Sequence, residues 1–303
     1  MVIALFLRQH YRLSNVFFQY FTMPLTSELR NPNSQINQLL DSILPYDVVT
    51  NFIMEHNAIL ETAHIIPPQP NSNLLLVGSA MAHAFYYQIT GQWGFYQPTM
   101  ARLGFQQLSR WQFRELMAIA ETAKTPVQKA LIALAFAYFE GVGRGNNPPD
   151  LRNVVTQNVL SAESLAEHMN ELGSPQDPLL DTVYDIANLM ESFSLKWVDR
   201  LNSDDVTVNA SFSGSHLVGG ADAQMISNGI LIDIKTSKLR QPFTQKDLYQ
   251  QLAYWLLDYD NQYNIKEIVW VYPRHQMFLR YGIDKMFPQL PQRSYELLNS
   301  PAF

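Results

Sequence analysis

Apolar residues along this chain keep one spacing up to about residue 200 and a different one after it. Residues 34–200 read as mostly helical. "SQINQLLDSIL" returns apolar side chains every three to four positions behind a serine cap, and "SRWQFRELMAIAETAK" does the same. "TPVQKALIALAFAYFEGV" opens on Thr125 and Pro126, as a helix start should. "GVGRGNNPPD" at 141–150 is the strongest breaker and predicts a loop or subdomain edge, followed by helical runs over 151–172 and 178–200. After Asn202 the pattern turns to β-branched and alternating. "DDVTVNASF", "ADAQMI", "ILIDIKT" and "EIVWVYP" predict strands, and "TQKDLYQQLAYWLLDYD" a helix capped by Thr244 and Asp247. The order from 178 onward is helix, strand, strand, strand, helix, strand.

Asn228-Gly229 between two apolar runs predicts a tight hairpin, because both residues tolerate positive φ. Ser227 then faces Ile230, which pairs Met225 with Ile232, Gln224 with Asp233, Ala223 with Ile234 and Asp222 with Lys235. Opposed residues share a face of the sheet. Ala223, Met225, Ile232 and Ile234 would form the core face, and Asp222, Gln224, Asp233 and Lys235 would share the other. Two carboxylates and an ammonium on one face suit a hard divalent cation, Mg²⁺ or Mn²⁺, with the Ile234 backbone carbonyl as a further oxygen ligand. Such a cation activates water at a phosphoryl group, where Lys235 could orient the water or stabilise developing charge.

Composition narrows the classes. The 303 residues suffice for one large domain or two ordinary ones, and 47% hydrophobic content supports a true core. With no cysteine, disulfides, thiolate metal sites and cysteine nucleophiles are excluded, which fits a reducing cytoplasm. A net charge of −6 argues against coating nucleic acid by bulk electrostatics but leaves a local basic groove open. Residues 1–22 are apolar and aromatic, yet Arg8 and Arg12 sit mid-run, so they read as a dispensable extension rather than a membrane span. The soluble sequence from Met23 divides into a mostly helical region, 23–175, and a second unit, 176–303. Metalloprotease, nucleophile-elbow and phosphate-loop motifs are missing, and Ser213, Ser215 and His216 are too close in sequence to face one another as nucleophile and base.

"GGAD" followed by "DIK" resembles motifs II and III of the PD-(D/E)XK nuclease superfamily, with Asp222 and Asp233 as the acids and Lys235 as the lysine. Gln250 and Tyr254 in "QQLAY" are similar to the Q-x-x-x-Y element of its RecB-like and Cas4-like branch. Without cysteine, the iron–sulfur cluster of many Cas4-like proteins is excluded. The resemblance covers about 178–285 and implies a restriction-endonuclease-like core, a mixed sheet flanked by helices, with a large helical N-terminal portion. It implies a Mg²⁺- or Mn²⁺-dependent nuclease acting on DNA more readily than RNA, in phage defence, repair or recombination. The family adds an acid from the helix before the first strand, for which Glu191 is the first choice and Asp185 the rival. "LLVGSAMAHAF" loosely resembles the branch's G…H helix through Gly78 and His83, one residue too far apart; His83 reads as a helix histidine with its own partner rather than a ligand. Lys238, Arg240, Lys246 and Arg274 are candidate phosphate contacts, with solvated surface charge as the other reading. The competing function is a nuclease-fold binding or scaffold protein without turnover, acting through its helical region. Whether a protein partner or a second copy joins it stays open.

Overall fold

A computed structural model describes residues 25–97, 99–106, 108, 110–145, 178–193, 201, 205–288 and 290. The extension at 1–22 and the helical run expected at 151–172 lie outside the described residues, as does 194–200 of the next run. In chain order come α1 (Leu25–Glu28), α2 (Gln35–Ile43), α3 (Tyr46–Glu61), α4 (Leu74–Thr90), α5 (Met100–Phe105), α6 (Arg110–Thr122), α7 (Pro126–Gly143) and α8 (Pro178–Ser192). They are followed by β1 (Val206–Ser211), β2 (Asp222–Ser227), β3 (Ile230–Ile234), α9 (Gln245–Leu257), β4 (Glu267–Tyr272), β5 (Met277–Gly282) and α10 (Ile283–Met286).

Local chemistry starts these helices where the sequence expects it. The Ser34 hydroxyl accepts from the Asn37 N–H at 3.3 Å, and Thr125 with Gln128 and Thr244 with Asp247 close reciprocal capping boxes. The breaker at 141–150 acts later than expected: α7 continues to Gly143, and an Arg144–Glu140 pair spans its last turn.

The five strands form one mixed sheet in the order β1-β2-β3-β4-β5. β1, β2 and β3 run antiparallel, β3 and β4 parallel, and β4 and β5 antiparallel, so α9 is the crossover that parallel pairing demands. β5 lies beyond the strands that the sequence pattern predicts; its short apolar run follows Pro273-Arg274-His275 with no recognisable hairpin turn.

Helices cover both faces of the sheet. On one face Leu231, Ile268, Trp270 and Tyr272 pack with α9 and with Ile36, Leu39, Leu40, Val49 and Leu60 of α2 and α3. On the other, Met225, Ile232, Ile234, Val269 and Val271 pack with α4, α7 and α8. All five β3 residues are buried, the mark of a strand covered on both sides. Residues before and after 175 therefore share both cores. A third cluster, around Phe95, Phe105, Phe136 and Phe139, joins α5 and α6 to the outer side of α7.

The expected hairpin faces need two corrections. The face opposite Met225 is not simply polar, since Ile226 and Leu231 are buried in the first core. Ala223 also leaves the Met225 face and packs with Ala210 in that core. The change falls at Asn209, whose φ of +48° rotates β1 between Val208 and Ala210.

Candidate active site

Asn228 and Gly229 adopt φ of +49° and +73°, as the primed turn requires. Gly229 is doubly constrained, because a Cβ there would stand 2.6 Å from the Asn264 carbonyl oxygen. Ser227↔Ile230 and Met225↔Ile232 pair as expected. Beyond them the hairpin opens, and the expected pairs Gln224–Asp233, Ala223–Ile234 and Asp222–Lys235 are not made. The Gln224 side chain enters the gap, its Oε1 accepting from the Ile234 N–H at 2.8 Å. β3 meanwhile stays with β4, as the Lys235 N–H donates to the Val271 carbonyl at 2.8 Å. Backbone groups alternate sides along a strand, so the Ile234 carbonyl projects toward the gap beside its own N–H. β3 thus keeps its parallel partner where its antiparallel pairing ends, and Asp222 and Lys235 are not paired.

Two charge networks result. Asp233 is buried, and its Oδ2 lies 3.0 Å from Lys235 Nζ without the alignment of a directed hydrogen bond. Lys235 Nζ is held more closely by Asp247 Oδ1 at 2.8 Å, so this acid of the α9 capping box is also part of the site. Asp222 belongs to the other network. Its Oδ2 meets Arg144 Nη2 at 3.2 Å, and the same nitrogen lies 3.0 Å from Glu140 Oε1. Glu140 Oε2 in turn bonds His83 Nε2 at 3.1 Å.

The second network, Asp222, Arg144, Glu140 and His83, lines a cleft of about 410 Å³ with Ser79 and Ala82 of α4, Gln224, and Gln250 and Tyr254 of α9, whereas Asp233, Lys235 and Asp247 do not line it. Gln250 Nε2 donates to Tyr254 Oη at 3.2 Å, so the two residues one helical turn apart do share a face. Asp222 and Asp233 both act electrostatically on the Tyr254 phenol, so it lies within reach of both networks.

Burial drives the electrostatics. Desolvation raises the carboxyls of Asp222 and Asp233, against the opposing pull of Arg144 and Lys235 respectively. For Lys235 burial acts downward, but Asp233 and Asp247 outweigh it and keep the ammonium charged. Glu140 is pushed up by burial, yet His83 and Arg144 together bring it down to about 2. Burial and Asp222 raise the Tyr254 phenol, which stays neutral.

The other sequence candidates are placed differently. Glu191 is exposed near the end of α8 and does not line the cleft. Asp185 is fully buried, where it receives Arg274 Nη1 at 2.9 Å and the Ser72 hydroxyl at 2.7 Å. Arg274, also fully buried, donates its Nε to the Thr236 carbonyl at 2.9 Å; it ties α8 to the segment after β3 rather than reaching a surface phosphate. Lys238 and Arg240 are exposed, and Lys246 is half-buried near Arg30. Gly78 faces Thr236 Oγ1, which brings α4 against the end of the Asp233 strand. His83 has its own partner, as expected, but that partner is a cleft acid. The helix-borne acid that joins Asp222, through Arg144, is Glu140 from α7. Its only sequence trace is the i,i+4 pairing with Arg144, which reads as ordinary helix surface. Ser213, Ser215 and His216 bond to Asp260, to the backbone at 212 and 221, and to the Ser213 carbonyl, so each serine hydroxyl is engaged by a group other than the imidazole.

The donors here are oxygens, as a hard divalent cation prefers, and Asp222 and Glu140 already share one cationic nitrogen. Among the described residues no group of three or more His, Asp or Glu is gathered to hold a metal. That is compatible with Mg²⁺, which binds through one or two carboxylates and keeps several waters. No helix among the described residues is long and apolar enough to cross a membrane. Compared with family models, curated proteins and solved structures, the chain matches none of them.

Proposed function

We propose that the chain is a metal-dependent nuclease that hydrolyses phosphodiester bonds, DNA more readily than RNA, and that residues from α8 onward form a restriction-endonuclease-like core. One observation supports the reading: the β2–β3 hairpin opens at Gln224, whose side chain bonds the Ile234 N–H between Asp233 and Lys235 and lines the same cleft as Asp222, Gln250 and Tyr254. Asp222, Asp233 and that carbonyl would hold Mg²⁺ or Mn²⁺, with Glu140 as the helix-borne acid. The cation, when bound, supplies charge neutralisation and an acidified water. Lys235, kept protonated by Asp233 and Asp247, orients the attacking water and stabilises charge on the phosphate. Gln250 and the neutral Tyr254 hold the substrate side of the cleft by hydrogen bonding.

A second reading, a nuclease-fold binding protein without turnover, draws support from Arg144, which already neutralises Asp222. One experiment separates the two. Purified protein is incubated with linear, circular and single-stranded DNA and with RNA, in Mn²⁺, Mg²⁺ or EDTA. Cleavage that needs the metal and disappears in Asp233→Ala and Lys235→Ala supports the nuclease. No cleavage of any substrate, or unchanged cleavage in both variants, overturns it.

A further inference from the structure

The charged side chains that line the cleft, Glu140, Asp222, Arg144 and His83, are already paired with one another, and exposed cations gather elsewhere. A concentrated set lies on α5, α6 and the loop before them. Tyr96 and Trp111 are 67% and 64% exposed, unusual for large aromatic side chains, and Arg102, Arg110 and Arg114 are exposed around them.

Their arrangement follows from two contacts and helix geometry. Tyr96 Oη donates to Met117 Sδ at 3.4 Å, which lays the tyrosine across α6 at that residue. Arg102 Nη1 donates to the Tyr96 carbonyl at 2.9 Å, which brings α5 to the same place. Around α6, at about 100° per residue, Arg110 and Arg114 fall between Met117 and Trp111. Along the axis Met117 and Trp111 are about 9 Å apart. Two aromatic surfaces therefore flank arginines on one continuous face.

The platform is fixed to the cleft. Added Cβ atoms at Gly104 and Gly143 would fall 1.9 Å from the Phe139 carbonyl oxygen and 2.0 Å from the Met100 carbonyl oxygen. α5 and α7 thus touch backbone to backbone, and Gly143 directly precedes Arg144.

From this geometry we infer that Tyr96, Trp111, Arg102, Arg110 and Arg114 form a binding site for single-stranded nucleic acid. Bases stack on the two rings, and phosphates meet the arginines. Stacking needs an unpaired base, because a duplex hides its π-faces, and it tolerates any sequence. The inference takes from the proposed function only that the ligand is nucleic acid.

The test is fluorescence anisotropy with labelled dT and rU oligonucleotides of roughly 20 nucleotides and a duplex of equal length, all in EDTA. Wild type should bind a single strand more tightly than the duplex. Tyr96→Ala with Trp111→Ala should weaken binding to the preferred single strand about tenfold, while Tyr96→Phe with Trp111→Phe, which keeps both rings, should restore most of it. Arg102→Ala, Arg110→Ala and Arg114→Ala together should lower the slope of log affinity against log salt by about 2. Equal or tighter duplex binding, no single-strand binding, or alanine variants within about twofold of wild type would overturn the site. Because no metal is present, the outcome is independent of cutting. A chain that binds through this face but never cleaves keeps the site and loses the nuclease reading; one that cleaves, with both platform variants unchanged in binding, does the reverse.

Discussion

The two acids of the candidate site are held in opposite ways. Asp233, Lys235 and Asp247 lie within 15 residues of one another, on a strand, just past its end, and on the first turn of the helix that follows it. Asp222 is held by Arg144 and Glu140, about eighty residues earlier, with His83 behind them. The first network is a local device, complete once β3 and α9 exist. The second exists only when α4 and α7 pack on the sheet, so it responds to changes far from the chemistry.

The sharpest way to break this comparison is to remove one acid from each network. Both Asp222→Asn and Asp233→Asn should lower cleavage at least about hundredfold, since each removes an anionic oxygen from the reacting centre. They should part in a second readout. Asp233→Asn leaves Lys235 paired with Asp247, whereas Asp222→Asn leaves Arg144 with Glu140 alone. Single-turnover cleavage together with Mn²⁺-induced thermal stabilisation measures both. Full activity in either variant would remove that residue from the site.

How much of this the sequence displays follows the same division. The turn, the first hairpin pairs, the α9 capping box and the Gln250–Tyr254 face all depend on residues close in sequence, and all could be read there. Glu140 could not. An acid four residues before an arginine at a helix end looks like solvated surface, and only tertiary packing turns both toward Asp222. Asp185 and Arg274 misled for the reverse reason, because a buried ion pair leaves the same letters in a sequence as a solvated one. The opening of the hairpin was also hidden: register arguments treat two strands alone, while β3 has a second partner in β4.

Acid titration should show the distant network next. Glu140 has an ordinary value of 4.5 and is held at about 2, so it contributes stability above pH 4.5 that is lost as pH falls toward 2. The contribution is on the order of 3 kcal/mol. Asp222 and Asp233 are raised by burial and act with the opposite sign, favouring the fold at low pH and losing that contribution as pH rises through their folded values. Glu140→Gln should therefore be less stable than wild type near neutrality and should approach it as pH falls from 4.5 to 2. Melting temperatures across that range test this. Parallel curves would mean that Glu140 is not held as the geometry implies.

A glycine pair gives a smaller but cleaner contrast. Replacing a helical glycine by alanine ordinarily stabilises by about 1 kcal/mol. At Gly143 the new Cβ would stand 2.0 Å from the Met100 carbonyl oxygen, and backbone cannot move as a side chain can, so Gly143→Ala should destabilise by about 1–3 kcal/mol. At Gly78 the neighbour is the Thr236 hydroxyl at 3.3 Å, which can yield, and Gly78→Ala should stay within about 1 kcal/mol of wild type. Urea midpoints for the two variants decide it. Equal effects would mean that α5 and α7 do not meet as closely as this.

The smallest expected effect falls on Tyr254, whose phenol both acids act on. Tyr254 Oη accepts from Gln250, and its ring is stacked against Phe212 with centroids 5.4 Å apart. Tyr254→Phe keeps the stacking and removes the hydroxyl, so stability should change by about 1 kcal/mol or less. Gln250 then loses the partner that orients its amide toward the cleft. If that amide holds substrate in the ground state as well as the transition state, KM for cleavage should rise severalfold with kcat nearly unchanged. A fall in kcat at constant KM would instead put the hydroxyl at the reacting phosphate, which would make Tyr254 a catalytic residue and tie the two acids into one site through a side chain that both act on.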